Sequence, residues 1–156
     1  MIIPSGPLRE GLNSLKKANI ILINGKKNSE FENKILKINS ELEIFYSAYK
    51  PINLNEFKKK KLLAVAGIGN PENFFQLIEE NELRIEKKIV FPDHFQISKN
   101  QFQNIIKEAK HKNYEIIMTE KDYFKIRKYK FKNINYLKVM LKIFEQERFI
   151  KKIKKI

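Results

Sequence analysis

The hydrophobic and polar positions change period several times along the chain, and each change predicts an element. After Pro7, which suits a first helical position, Leu8, Leu12 and Leu15 fall at i, i+4 and i+7, so residues 7–17 read as a helix. Ile20–Ile23 is a short unbroken apolar run stopped by Asn24-Gly25, the pattern of a buried strand. Residues 29–38 predict a short helix, and 42–49 an extended segment ahead of Pro51. Past the lysine run 58–61, read as a solvated lead-in, the alternation becomes regular. Leu62–Ala66 reads as a strand, Gly67-Ile68-Gly69 as a turn, and Asn70-Pro71 as an N-cap with proline at the first helical position. The following helix carries Phe74, Phe75 and Ile78 on one face. Ile85–Phe91 is a second strand, and Ser98 with Gln101 has capping-box spacing ahead of Phe102, Ile105, Ile106 and Ala109. Tyr114–Met118 is a third strand; Thr119 and Asp122 repeat the capping spacing before another helix. Tyr136–Val139 predicts a last strand and residues 141–154 a terminal helix.

Strands alternating with helices of this length predict an α/β fold, with a mostly parallel sheet and flanking helices. No repeat or Gly/Ser linker interrupts the chain, and the organisational boundary falls near residues 50–58. The longest apolar stretch, Leu62–Gly69, is far short of the ~20 residues that span a bilayer. The first residues lack the basic and apolar regions of a secretory signal.

Composition narrows the chemistry. The 156 residues contain no cysteine, which excludes a disulfide scaffold, cysteine-ligated metal and thiol catalysis. Two histidines, His94 and His111, are too few for a histidine-rich metal site, and His111, between two lysines, reads as a solvated surface residue. The formal charge is +14, yet lysine, isoleucine and asparagine, all favoured by AT-rich codons, are abundant and only four arginines occur. Lysine is the poorer cation for bidentate recognition of phosphate or bases, so the charge alone is a weak sign of nucleic-acid binding. It is also uneven. Residues 121–156 hold 13 Lys/Arg against 3 Asp/Glu, beside an apolar series of Leu137, Met140, Leu141, Phe144, Phe149, Ile150 and Ile153. Such a helix packs on a sheet or lies on an anionic membrane surface.

Three polar segments each follow a predicted strand: Gly67–Pro71, Phe91–His94 and Thr119–Asp122. In a parallel sheet these ends share one edge, where open α/β sheets bind ligands. Gly67 and Gly69 allow either a tight turn or close backbone approach to an anion. Thr119 and Asp122 read as a helix cap, with Lys121 in reach of a phosphate. Adjacent Asp93 and His94 after a stiffening proline form a candidate acid–base pair.

Taken in order, these segments resemble those of the tetraacyldisaccharide 4'-kinase (lipid A 4'-kinase) family. Pro4-Ser5-Gly6-Pro7-Leu8-Arg9-Glu10 is similar to the family's P-x-G-P-[LM]-R-E, and Ile20–Gly25 to the strand and Asn-Gly after it. Ala66–Pro71 with Phe74-Phe75 resembles A-G-I-G-x-P-x-x-F-F, Phe91–His94 resembles F-x-D-H, and Thr119–Asp122 resembles T-E-K-D. The resemblance implies ATP- and Mg²⁺-dependent transfer of phosphate to the 4'-hydroxyl of a tetraacyl glucosamine disaccharide 1-phosphate, a lipid A precursor. It implies a cytoplasmic enzyme peripheral to the inner membrane of a Gram-negative bacterium, on an anionic lipid surface. It makes His94 and Asp93 the catalytic candidates, with Arg9, Asn70, Lys121 and Asp122 lining the cleft.

The same resemblance is to a C-terminal part only. The family's P-loop, its D-D-G aspartate and its N-terminal membrane helix precede the P-x-G-P segment, and no G-x-x-x-x-G-K-[ST] occurs here. The expectation is therefore that residues 1–50 are the remnant of a nucleotide-binding domain and 51–156 a C-terminal α/β domain. A missing N-terminal half would be the partner, and the chain alone would be inactive and prone to associate. The alternative is a small basic α/β module that binds nucleic acid or an anionic membrane; few arginines among the aromatics disfavour nucleic acid.

Overall fold

The computed structural model describes residues 10–155, so the predicted helix from residue 7 is described only in its later part, a 3-10 turn at Leu12–Lys17. The chain divides into two compact units. One comprises the residues up to Lys50 together with those from Leu141 onward; the other is Pro51–Met140.

The second unit is a four-stranded sheet built from β3 (Lys61–Ala66), β4 (Arg84–Val90), β5 (Glu115–Thr119) and β6 (Asn135–Leu137). Its order is β4-β3-β5-β6, and every adjacent pair is parallel. Parallel neighbours need crossovers, which α2 (Pro71–Glu80), α3 (Lys99–Lys112) and α4 (Glu120–Ile126) supply. The period of two along β3 sorts the core into two layers. Leu62, Ala64 and Ala66 pack with Phe74, Phe75 and Ile78 of α2; Leu63 and Val65 pack with Phe102, Ile105 and Ala109 of α3. A strand covered on both faces is apolar throughout, which is why Leu62–Ala66 is an unbroken run. The predicted capping box of α3 forms reciprocally: Gln101 N–H donates to Ser98 Oγ at 3.3 Å, and Ser98 N–H to Gln101 Oε1 at 3.0 Å. Asn70 does stand at the N-cap of α2 with Pro71 inside it, but its side chain makes no capping hydrogen bond.

In the first unit, β1 (Ile20–Asn24) pairs in parallel with β2 (Glu43–Pro51), Ile20 opposite Glu43 and Asn24 opposite Ser47. Between them runs α1 (Ser29–Leu36), opened by Asn28, whose Oδ1 accepts from Phe31 N–H at 2.9 Å. Ile20–Ile23 of β1 are half-buried rather than buried, and Asn24 is exposed.

The end of the chain corrects the expected terminal helix. Val139–Ile143 is β7, next to β2 in the sheet order β1-β2-β7, and α5 begins only at Gln146 and ends at Ile153. Val139-Met140-Leu141 is a short apolar run that periodicity cannot assign, and the unpaired edge of β2 decides it. Phe144 N–H donates to Tyr46 O at 2.8 Å, and Glu145 turns the chain in a left-handed conformation (φ 55°) into α5. The expected second domain ran to the C-terminus; Leu141 onward instead joins the first unit, because α5 packs on β2. Phe149 meets Phe45 edge-on at 5.2 Å, and Arg148 and Lys152 both pair with Glu43. Those two cations, Lys152 foremost, hold the Glu43 carboxyl below its ordinary range.

Candidate functional site at the strand ends

In the second unit β3 is followed on one side by β4 and on the other by β5, so the strand order reverses between β3 and β5. In open α/β sheets that reversal leaves a crevice at the carboxyl ends of the strands. Here the crevice is closed from within. Asp122, fully buried at the start of α4, accepts from Gly67 N–H and from the Thr119 hydroxyl, both at 2.7 Å, through Oδ2. Its Oδ1 pairs with Lys125 Nζ at 2.7 Å, and the same ammonium donates to Gly67 O at 3.0 Å. Thr119 caps α4 as predicted, its Oγ1 accepting from Asp122 N–H at 3.2 Å. The Asp122 carboxylate is not returned to the Thr119 backbone as in a full capping box; it crosses to the β3 loop.

This answers the question left by Gly67. The anion it approaches is the protein's own carboxylate: an added Cβ would lie 3.1 Å from Asp122 Oδ1 and 3.3 Å from Phe91 Cβ. Asp122 is thus placed as a clamp, without exposed surface to offer a ligand. Lys125, its partner, was not singled out from the sequence; the i, i+3 spacing to Asp122 was the available signal.

Outside the clamp, the third loop is tied in by Asp93. Its Oδ1 accepts from Lys121 Nζ at 3.0 Å and from His94 N–H at 2.9 Å. The Lys121 hydrogen bond, then the His94 N–H, lower the Asp93 pKa against the opposing effect of partial desolvation. His94 sits in the turn closed by Phe95 N–H to Pro92 O at 3.1 Å, with φ 61°, a left-handed conformation that histidine adopts more readily than most non-glycine residues. Its imidazole is 85% exposed, and Nε2 lies 3.6 Å from Asp93 Oδ2, beyond hydrogen-bond length. The backbone is therefore fixed while the ring projects into solvent. The structure brings Asp93, His94, Lys121 and Asp122 together; exposed Asn70 stands on the β3 loop without a bond to them, and Arg9 lies outside the described residues.

The Asp93–Lys121 link has a pH signature. A carboxyl whose folded pKa is lowered favours the ordered loop above the ordinary aspartate range and loses that contribution as pH falls through the folded value. His94 amide protection is expected to persist at neutral pH and to be lost in that acid window. Lys121→Met should move the Asp93 carboxyl titration upward, read by NMR of the side-chain carbon.

The family described as Tetraacyldisaccharide-1-P 4'-kinase matches residues 1–156. The chain belongs to that family. The tetraacyldisaccharide 4'-kinase of Pelagibacter ubique is 36% identical over 100% of this chain and 51% of its own length. That of Haemophilus influenzae is 30% identical over 94% of this chain and 42% of its own. The chain thus spans about half the length of the curated relatives it matches. A crystal structure of LpxK from Aquifex aeolicus, in complex with ATP, covers 99% of this chain with a TM-score of 0.61 at 18% identity, and the match takes in 47% of that protein. The α/β fold is therefore the fold of this kinase family.

Mg²⁺, which the family implies, does not fit the described residues by themselves. No group of three acids or histidines among them is placed to hold a metal. Asp122 is committed to Gly67, Thr119 and Lys125, and Asp93 to Lys121. The Gly67 amide, the obvious phosphate donor of the β3 loop, is already bound.

Proposed function

We propose that this chain is the C-terminal part of a tetraacyldisaccharide 4'-kinase and supplies the His94 side of its catalytic cleft. The reaction is transfer of the ATP γ-phosphoryl group to the 4'-hydroxyl of the tetraacyl disaccharide 1-phosphate, at the cytoplasmic surface of the inner membrane. The observation that carries the reading is the locked turn at Pro92–Phe95, which fixes the His94 backbone and leaves its ring exposed. His94 is the group that orients and stabilises the carboxylate accepting the hydroxyl proton, an aspartate contributed from outside the described residues. Asp93 and Lys121 position the turn, and Asp122 and Lys125 hold the loop beneath it. Phosphoryl transfer is dominated by positioning and charge stabilisation. Those elements, with Mg²⁺, are assigned to the part of the kinase that this chain does not supply, and residues up to Lys50 to the edge of its nucleotide-binding domain.

Membrane association is part of the proposal. No helix among the described residues is long and apolar enough to cross a bilayer. Helix α5 instead exposes Ile150 and Ile153 beside Lys151, Lys154 and Lys155, a composition suited to an anionic lipid surface.

The test is a chimera in which residues 1–156 replace the matching half of the Pelagibacter ubique kinase. It should phosphorylate the lipid acceptor, and His94→Ala should lower kcat by roughly 10²–10⁴-fold without unfolding the chimera. The 156-residue chain alone should transfer nothing under the same conditions. A folded but inactive chimera, or full activity in the His94 variant, would sink the assignment.

A further inference from the structure

A second candidate site lies in the same unit and shares no lining residue with the strand-end loops. It is a cleft of about 230 Å³ bordered by Tyr123, Ile126, Arg127, Lys130, Phe131 and Ile134. We propose that this cleft binds a phosphate monoester carried on a sugar-sized or headgroup-sized body.

Its floor is apolar, since Ile126 and Ile134 are both buried core residues. Its aromatic walls are already fixed by packing. Tyr123 lies 4.6 Å from Tyr136, ring centroid to ring centroid, and Phe131 lies 5.4 Å from Phe102 and 5.8 Å from Tyr129. Little side-chain freedom is left to lose on binding.

Of the two cations at the cleft, Arg127 is unlike the other described arginines: Arg84 and Arg148 each have a carboxylate partner and Arg127 has none, whereas Lys130 shares its unpaired state with other surface lysines such as Lys107 and Lys110. Lys34, Lys87, Lys88, Lys121, Lys125 and Arg148 each have a carboxylate partner. Arg127 and Lys130 form no ion pair or side-chain hydrogen bond among the described residues, and both are exposed. Arg127 is nevertheless placed: its guanidinium carbon lies 5.8 Å from the Phe124 ring centroid, within cation–π range. Lys130 leaves the turn after α4 in a left-handed conformation (φ 54°), its N–H bound to Arg127 O at 3.1 Å. A forked cation and a point cation beside an apolar floor suit a doubly charged phosphate better than a carboxylate. The volume is below the roughly 300–1,000 Å³ of drug-sized pockets, a size that suits a single phosphate group with a small body. Single-stranded RNA is disfavoured because Tyr123 and Phe131 are engaged by other rings, so no row of free aromatic faces is available.

The 156-residue chain, methyl-labelled at isoleucine, is titrated with inorganic phosphate, glucose 1-phosphate, and vesicles of phosphatidylcholine with or without phosphatidic acid. Saturable shifts of the Ile126 and Ile134 methyls are expected. If only the soluble monoester produces them the ligand is a free sugar phosphate; if only phosphatidic acid vesicles do, it is a lipid headgroup, and either result supports the site. Arg127→Gln and Lys130→Gln should each weaken binding roughly tenfold. Replacing Lys107 and Lys110 on α3 by Gln removes charge elsewhere and should leave affinity unchanged. Methyl resonances distant from the cleft report that each variant is folded. No saturable shift with any phosphate probe, equal weakening by the α3 control, or shifts with an RNA oligonucleotide only would each overturn the proposal.

Discussion

Asp122→Ala is expected to destabilise the second unit by about 3 kcal/mol or more, the usual cost of leaving one member of a buried ion pair unpartnered. For a domain of this size that corresponds to a fall in melting temperature on the order of 15 °C. The variant strands three donors: the Gly67 amide, the Thr119 hydroxyl and the Lys125 ammonium. It also detaches the N-terminus of α4 from the loop after β3, so hydrogen exchange should accelerate at Gly67 and along β5. Lys125→Met should cost less, because Asp122 keeps its two neutral donors. The double variant Asp122→Ala/Lys125→Met should be more stable than the sum of the single effects implies, since no buried charge is then left alone. A Tm for Asp122→Ala within about 3 °C of the parent would show that the clamp contributes little.

Gly67→Ala comes second, at about 2 kcal/mol, within the range for adding a methyl to a closed space. The new Cβ would press on Asp122 Oδ1 at 3.1 Å and Phe91 Cβ at 3.3 Å, and neither neighbour is free to move. Gly69→Ala provides the control: its Cβ would meet Asp93 Oδ2 at 3.5 Å, an ordinary contact, and a change within about 0.5 kcal/mol is expected. Chemical denaturation followed by far-UV circular dichroism distinguishes the two. Equal effects at both positions would mean that both glycines serve the turn rather than the clamp. Neither adopts a positive φ, so the difference is one of space.

The strand-end residues show how far local sequence carries. The capping box of α3 was legible because both of its partners lie within four residues. The Thr119 cap was legible for the same reason. The rest of Asp122's bonding was not, because Gly67 lies 55 residues away and the sequence carries no local mark of the contact. Asp93 looked like half of an acid–base pair by adjacency. Its carboxylate instead goes to Lys121, 28 residues on, while the His94 ring turns outward. The aromatic cleft was missed as well, because Tyr123, Phe131 and Ile134 share no single helical or strand period.

The sequence by itself determined the α/β class, the strands of the parallel sheet and the family. Those follow from local periodicity, from capping, and from five short segments in a fixed order. Tertiary structure decided the fate of Val139–Ile143, which pairs with β2 because an open strand edge outweighs a helical periodicity carried by few residues. It also decided which carboxylate is buried and that the His94 ring turns away from Asp93 into solvent. Burial and charge pairing depend on residues brought together by the reversal of strand order between β3 and β5, and no spacing along the chain encodes that meeting.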